Sequence, residues 1–232
     1  MLKKYLSLLF IICFSNIVIA QKHEIQIGVQ TGIAIPMGQF ASGYGPYVDN
    51  GYASKGYNYK VYAEYQVKNT FKVGLDYINF SNSQEEGNLR AIYNNRFSSV
   101  KTEILEYSNT QSILGSLTFR GKDAPVFIKG MIGLGVSKTG SVLAKNNIES
   151  YTEMQSTSNL NFVTGLGIGF YIPIRNKLFM EFEADYISSY ARPKNYTLKD
   201  NSSNYTENWG DINYNQTVIN LNIGVGIFLF RE

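Results

Sequence analysis

From Glu24 onward the chain alternates apolar with polar or small side chains at a period of two, the periodicity of a β-strand whose faces meet different surroundings. In Ile25-Gln26-Ile27-Gly28-Val29-Gln30-Thr31-Gly32-Ile33-Ala34-Ile35 the odd positions are apolar apart from Thr31. The pattern recurs with Tyr57, Tyr59, Val61, Ala63, Tyr65 and Val67 on one face and Asn58, Lys60, Tyr62, Glu64 and Gln66 on the other. Only Lys68-Asn69-Thr70 separates this run from Phe71, Val73, Leu75 and Tyr77, which predicts a hairpin. A less regular strand ends in Ile113, Gly115, Leu117 and Phe119, and a tight turn from Arg120 to Pro125 leads to Val126, Ile128, Ile132, Leu134 and Val136. Leu160, Phe162, Leu166, Ile168, Phe170 and Ile172 then share a face, a short turn from Pro173 to Asn176 follows, and Leu178, Met180, Phe182, Ala184 and Tyr186 continue. The last run carries Thr217, Ile219, Leu221, Ile223, Val225, Ile227 and Leu229.

These are about eight strands whose connections alternate long and short. The long segments fall near 36–56, 81–106, 138–158 and 188–213, and the tight turns near 68, 122 and 175. That asymmetry predicts an all-β fold, an antiparallel up-and-down transmembrane β-barrel of about eight strands with short periplasmic turns and long external loops. The stretch Thr164-Gly165-Leu166-Gly167-Ile168-Gly169-Phe170 is then a barrel wall. A dinucleotide-binding loop needs a helix after its glycines, and here the strand runs on to Pro173. Gly28, Gly32, Gly74, Gly133, Gly135, Gly224 and Gly226 share its non-lipid parity, where glycine relieves crowding in a narrow interior.

Residues 1–20 read as a secretory signal peptide: Lys3 and Lys4, an apolar run from Leu6, and small residues Val18 and Ala20 before the polar Gln21. Phe10-Ile11-Ile12 are too bulky for lipoprotein processing at Cys13. The barrel domain is expected over 21–232. Removing the signal peptide removes the only cysteine and two of 21 basic residues, leaving 19 against 18 acidic ones. Disulfides, thiol chemistry and Cys metal sites are thereby excluded, and the balance gives no footprint for nucleic acid.

The inward parity also carries charge: Lys60, Glu64, Lys72, Asp76, Lys129, Glu181, Glu183 and Asp185. Isolated charges would be costly to bury, so a paired network in the lumen is expected. It either fills the interior or gates a narrow ion path, to which the acidic groups would admit cations. Outward aromatics fall at two levels, Tyr57, Tyr59, Tyr77, Phe162 and Tyr186 near one rim and Tyr65, Phe71, Phe119 and Phe170 near the other, as membrane interfaces require.

The export signal, the hairpin rhythm, the Tyr- and Asn-rich loops and the C-terminal run Asn222-Ile223-Gly224-Val225-Gly226-Ile227-Phe228-Leu229-Phe230 resemble the small outer-membrane β-barrel proteins of the OmpA/OmpX-like class, especially those abundant in Bacteroidota. The resemblance spans the mature chain. It implies a Gram-negative outer-membrane location, a monomer in contact with outer-membrane lipid, and a C-terminal aromatic, Phe228 or Phe230, recognised by the barrel-assembly machinery. Arg231 and Glu232 follow Phe230, a departure from the family's aromatic end. Phe230 also has inward parity, so the pattern calls for a bulge or a shifted strand end.

Some barrels of this shape are enzymes that rely on a histidine near the outer rim, but the single histidine is His23, at the expected periplasmic end. No catalytic set, cofactor site or metal site is read, and Asp49, Asp200 and Asp211 form no complete calcium pattern. Tyr47, Tyr93, Tyr151, Tyr196, Tyr205 and Trp209 lie in the external segments and either form a contact surface or pack the loops together. The expected function is structural or surface-binding, including adhesion, through these loops to an extracellular ligand. A narrow porin-like channel for ions or small solutes and a soluble lipocalin-like barrel are the alternatives.

Overall fold

The computed structural model describes residues 24–41, 53–84, 100–121, 125–138, 141–146, 151–154, 158–190, 197–200, 205–208 and 215–229. The expected signal peptide lies outside them. The described residues form thirteen strands: β1 (Ile25–Met37), β2 (Ala53–Lys68), β3 (Phe71–Gln84), β4 (Val100–Glu106), β5 (Ser108–Arg120), β6 (Val126–Lys138), β7 (Ser141–Asn146), β8 (Tyr151–Met154), β9 (Ser158–Pro173), β10 (Leu178–Ser189), β11 (Thr197–Asp200), β12 (Tyr205–Asn208) and β13 (Gln216–Leu229). Eight of them close into an antiparallel barrel in the order β1-β13-β10-β9-β6-β5-β3-β2, an up-and-down topology in which each strand neighbours the next and β13 returns to β1. The eight strands of the periodicity reading are these, with tight turns at 69–70 and 174–177; the expected turn near 122 lies outside the described residues.

The register fixes the barrel's shape. Following partners from Ile25 through Tyr65, Val73, Leu117, Gly130, Leu166, Tyr186 and Ile219 returns to β1 at Ile35, a stagger of ten residues. Eight strands with that shear tilt by about 40° and enclose a cylinder of roughly 8 Å backbone radius. Such a cylinder has room for side chains and no more. Parity therefore decides each residue's surroundings. Leu160 and Leu166 on β9 are 73% and 65% exposed, whereas Lys60 and Lys129 are 1% and 0% exposed. This partition is the reverse of a water-soluble protein's.

Two differences from the sequence expectation stand out. The long connections contain regular structure: β4, β7, β8, β11 and β12 pair antiparallel as a second sheet in the order β12-β11-β8-β7-β4, at the long-loop end. Its strands run only four to seven residues, and the pairings of β4 with β7 and of β8 with β11 join different loops, so periodicity within one loop does not reveal the sheet. The C-terminal strand carries no bulge as far as Leu229. Its register with β1 runs unbroken from Met37 with Thr217 to Ile25 with Leu229, and Phe228 faces inward at 3% exposure. Phe230 lies outside the described residues.

Small residues make room for large ones at the short-turn end. A Cβ on Gly226 would lie 2.1 Å from the Phe179 ring, and one on Gly169 would lie 2.4 Å from that of Phe127. At the opposite end Gly38, with φ of 57°, turns the chain from β1 into a short helix, α1 (Gly38–Ala41), and Phe40 of that helix is fully buried. Outward aromatics pair at both levels: Tyr59 with Tyr77 at 5.9 Å and Phe162 with Tyr190 at 6.1 Å toward the long loops, and Phe71 with Phe119 and Phe170 with Phe182, each at 5.0 Å, toward the short turns.

Gly226→Val must displace the Phe179 ring from a filled layer, at a cost of about 1–3 kcal/mol. The temperature at which the compact, unboiled electrophoretic form converts to the unfolded one is expected to fall. An unchanged conversion temperature would show that the layer is loosely packed.

Candidate functional site: the charged interior

Eight strands with alternating parity project a column of inward side chains, which sort into layers. At the short-turn end the layer is aromatic. Phe127 stacks on Tyr171 at 4.6 Å, Tyr171 meets Phe179 edge-on at 5.3 Å, and Phe179 tilts against Phe228 at 4.5 Å. The Arg120 guanidinium lies 5.5 Å from the Tyr171 ring. At the long-loop end the layer is apolar, comprising Ala34, Phe40, Ala53, Ile78, Phe80, Leu114, Met131, Val163, Ile187 and Val218, all buried. Hydroxyls and an amide adjoin it: Thr110 with Ser137 at 2.9 Å, Ser137 with Ser189 at 3.0 Å, and Thr110 donating to Gln216 at 2.5 Å.

Between these layers sits the charge. All eight residues expected inside come together: Lys60 and Glu64 from β2, Lys72 and Asp76 from β3, Lys129 from β6, and Glu181, Glu183 and Asp185 from β10. Lys60 Nζ donates to Glu183 Oε2 at 2.5 Å and Asp185 Oδ2 at 3.0 Å. Lys129 Nζ faces carboxylates of three strands, Glu64 at 2.9 Å, Asp76 at 3.4 Å and Glu183 at 3.9 Å. Its ammonium also lies 4.6 Å from the centre of the Tyr62 ring. Lys72 lies 3.9 Å from Glu64 Oε2 and donates to Gln26 Oε1. It joins the network to the aromatic layer, 5.1 Å from the Tyr171 ring.

Neutral groups complete the shell. Tyr62 donates to Glu181 and accepts from Gln26. Gln30 donates to Glu183 at 2.9 Å, Asn222 to Asp185 at 2.8 Å, Ser116 to Asp76 at 2.9 Å and Thr118 to Glu64 at 2.8 Å. Buried charge persists only when paired and hydrogen-bonded. The network draws its members from seven of the eight barrel strands and gives each carboxylate at least one partner, while Glu64 Oε2, Glu181 Oε1, Glu183 Oε1 and Asp185 Oδ1 accept no hydrogen bond among the described residues. Sequence reasoning did not single out Tyr62, Gln26, Gln30, Ser116, Thr118 or Asn222 as part of the network. Their signal was inward parity beside a charged residue on the neighbouring strand. The inward parity of Phe127, Tyr171, Phe179 and Phe228 was legible in the same way, but not their meeting in one layer.

The chemistry of this interior is electrostatic cross-linking. Each charged group is at most 4% exposed, so solvent meets the network at neither end. Three lysines face five carboxylates. Tyr151 and Tyr205 are the first residues of β8 and β12, strands of the outer sheet and not of the barrel. Tyr47, Tyr93, Tyr196 and Trp209 lie outside the described residues.

No protein-family profile matches the chain. No curated protein sequence matches it either. Among solved structures it is similar to the attachment invasion locus protein Ail of Yersinia pestis, at 14% identity over 89% of this chain and 97% of that one, with a TM-score of 0.42. It is also similar to a major outer membrane protein of Thermus thermophilus, at 12% identity over 88% and 99% of the two chains with a TM-score of 0.48. Neisserial surface protein A is 12% identical over 89% and 97%, with a TM-score of 0.39.

Lys129→Met leaves Glu64, Asp76 and Glu183 facing one another without their shared cation. Removing one partner of a buried ion network costs about 3–5 kcal/mol, so denaturant unfolding of the refolded protein is expected to shift to markedly lower concentration. The double change Lys129→Met with Glu64→Gln should recover part of the loss. Equal stability of Lys129→Met and the parent would show that the charges are solvated rather than cross-linked.

Proposed function

We propose that this chain is an outer-membrane β-barrel protein whose barrel is a closed anchor and whose long-loop end binds a partner at the cell surface. The observation that carries the reading is the inverted partition. Apolar side chains cover the outside between two aromatic levels, and the eight charged residues of the network lie in an interior flanked by an apolar and an aromatic layer. An outside of that kind is suited to hydrocarbon, and a soluble lipocalin-like barrel would need the opposite arrangement. The seals favour anchoring over transport. They leave recognition to the second sheet, in which β4 pairs only with β7 and β12 only with β11 among the described residues. Such edges accept an extended partner strand through main-chain hydrogen bonds.

A second reading, a narrow cation path, draws support from the excess of five carboxylates over three lysines. It requires both seals to open. Planar-bilayer recording separates the two readings. The anchor reading expects no step conductance above the lipid background, whereas steady cation-selective steps that Glu183→Gln abolishes would establish the channel and overturn the anchor.

Fractionation of the native protein is expected to recover it with the outer membrane, in a form whose gel mobility changes on boiling. An epitope inserted at 201–204 should be stained on intact cells. Replacing 139–157 with a short Asn-Gly turn is expected to abolish partner binding by whole cells and preserve the mobility shift. Recovery of the protein in a soluble fraction would overturn the membrane reading.

A further inference from the structure

The lipid-facing wall is not uniform. An open groove of roughly 590 Å³ crosses β6, β9, β10 and β13, lined by Val126, Ile168, Phe170, Phe182, Ala184 and Leu221 among others. Its depth comes from Ala184, a small outward residue paired with Ile168 on one side and Leu221 on the other. Its lower lip is the Phe170 and Phe182 pair, stacked at 5.0 Å and 14°. The volume lies within the range of small-ligand sites, about 300–1,000 Å³, and the lining offers almost no polar atoms.

Beyond that lip, the short-turn end of the same strands is cationic. The β9–β10 hairpin closes through 174–177, and Arg175 and Lys177 within it are exposed. The turn is held against the end of β13 by a hydrogen bond from the Phe228 amide to the Lys177 carbonyl, 2.8 Å. The two cations therefore lie at the short-turn end of the same strands that form the groove. An apolar groove with a pair of cations farther along the same hairpin complements one type of molecule in a bilayer: a hydrocarbon tail joined to a phosphate. Guanidinium and ammonium groups are the protein's phosphate ligands, and basic clusters at the membrane surface attract anionic headgroups.

We propose that the β6–β9–β10–β13 wall is a binding site for one anionic phospholipid of the periplasmic leaflet. An acyl chain lies over Ala184 against the Phe170 and Phe182 rings, and the headgroup phosphate rests at Arg175 and Lys177. The site rests on the membrane reading given above and adds to it a chemically defined partner.

The test is native mass spectrometry of the full chain released from nanodiscs of equimolar phosphatidylglycerol and phosphatidylcholine. The parent is expected to retain one phosphatidylglycerol. Ala184→Phe fills the groove and should lower the retained fraction at least tenfold, whereas Leu75→Phe, on the opposite wall in β3, should leave it unchanged. Arg175→Gln with Lys177→Gln should bring the two lipids to equal retention. The proposal is overturned if Ala184→Phe inserts and retains lipid like the parent, if Leu75→Phe loses it equally, or if the retained mass is a second copy of the chain. Should Ala184→Phe not insert, the exposed turn variant decides: an unaltered preference for phosphatidylglycerol overturns the site. Failure of the parent to enter nanodiscs would sink the membrane reading itself, whereas insertion with no retained lipid would sink only this site.

Discussion

Closure is the constraint on which the rest of this molecule depends. An open β-sheet leaves a row of amides and carbonyls unpaired at each edge, and the pairing of β1 with β13 removes the edges that the other seven pairings would leave. Once eight strands close with a stagger of ten, the radius is set and the interior is narrow. Every inward position must then hold a side chain that fits its neighbours across the lumen. The glycines beside Phe179 and Phe127 and the stacked layers of aromatic, ionic and aliphatic groups follow from that geometry.

The layers divide the energetic work. The aliphatic and aromatic ends gain from close packing in the way of an ordinary core. The centre gains little net energy from pairing, since desolvation offsets most of the attraction, but it imposes a penalty on error. Slipping β6 by one residue would move Lys129 to the hydrocarbon side and bring Gly130 inside, leaving three carboxylates without their common partner. Ion pairing therefore acts here as a register device, and the outward apolar belt reinforces it by the same parity.

Legibility in the sequence followed the range of the interaction. Alternation is local, so the eight barrel strands, their facing, and the inward position of Lys60, Glu64, Lys72, Asp76, Lys129, Glu181, Glu183 and Asp185 could be read from neighbouring residues. The partners could not. Lys60 meets Glu183 across 123 positions of sequence, and that meeting is decided by the stagger of the whole barrel. The two seals were hidden for the same reason: Phe127, Tyr171, Phe179 and Phe228 come from four strands, and only the shear brings them to one level. The outer sheet was hidden differently. β4 and β11 are short, and their pairing depends on segments of other loops.

The seam between β1 and β13 also governs the order of events in the life of the chain. Ile25 pairs with Leu229, so the first strand to be made waits for the last. Until that strand arrives, the growing polypeptide carries a greasy surface and unfinished strand borders, the two features that drive aggregation. Contacts of such long sequence separation also form slowly. On the membrane reading, the biogenesis of this protein is a matter of custody: an escort would shield an unclosed chain across an aqueous compartment and release it only where the ring can be completed.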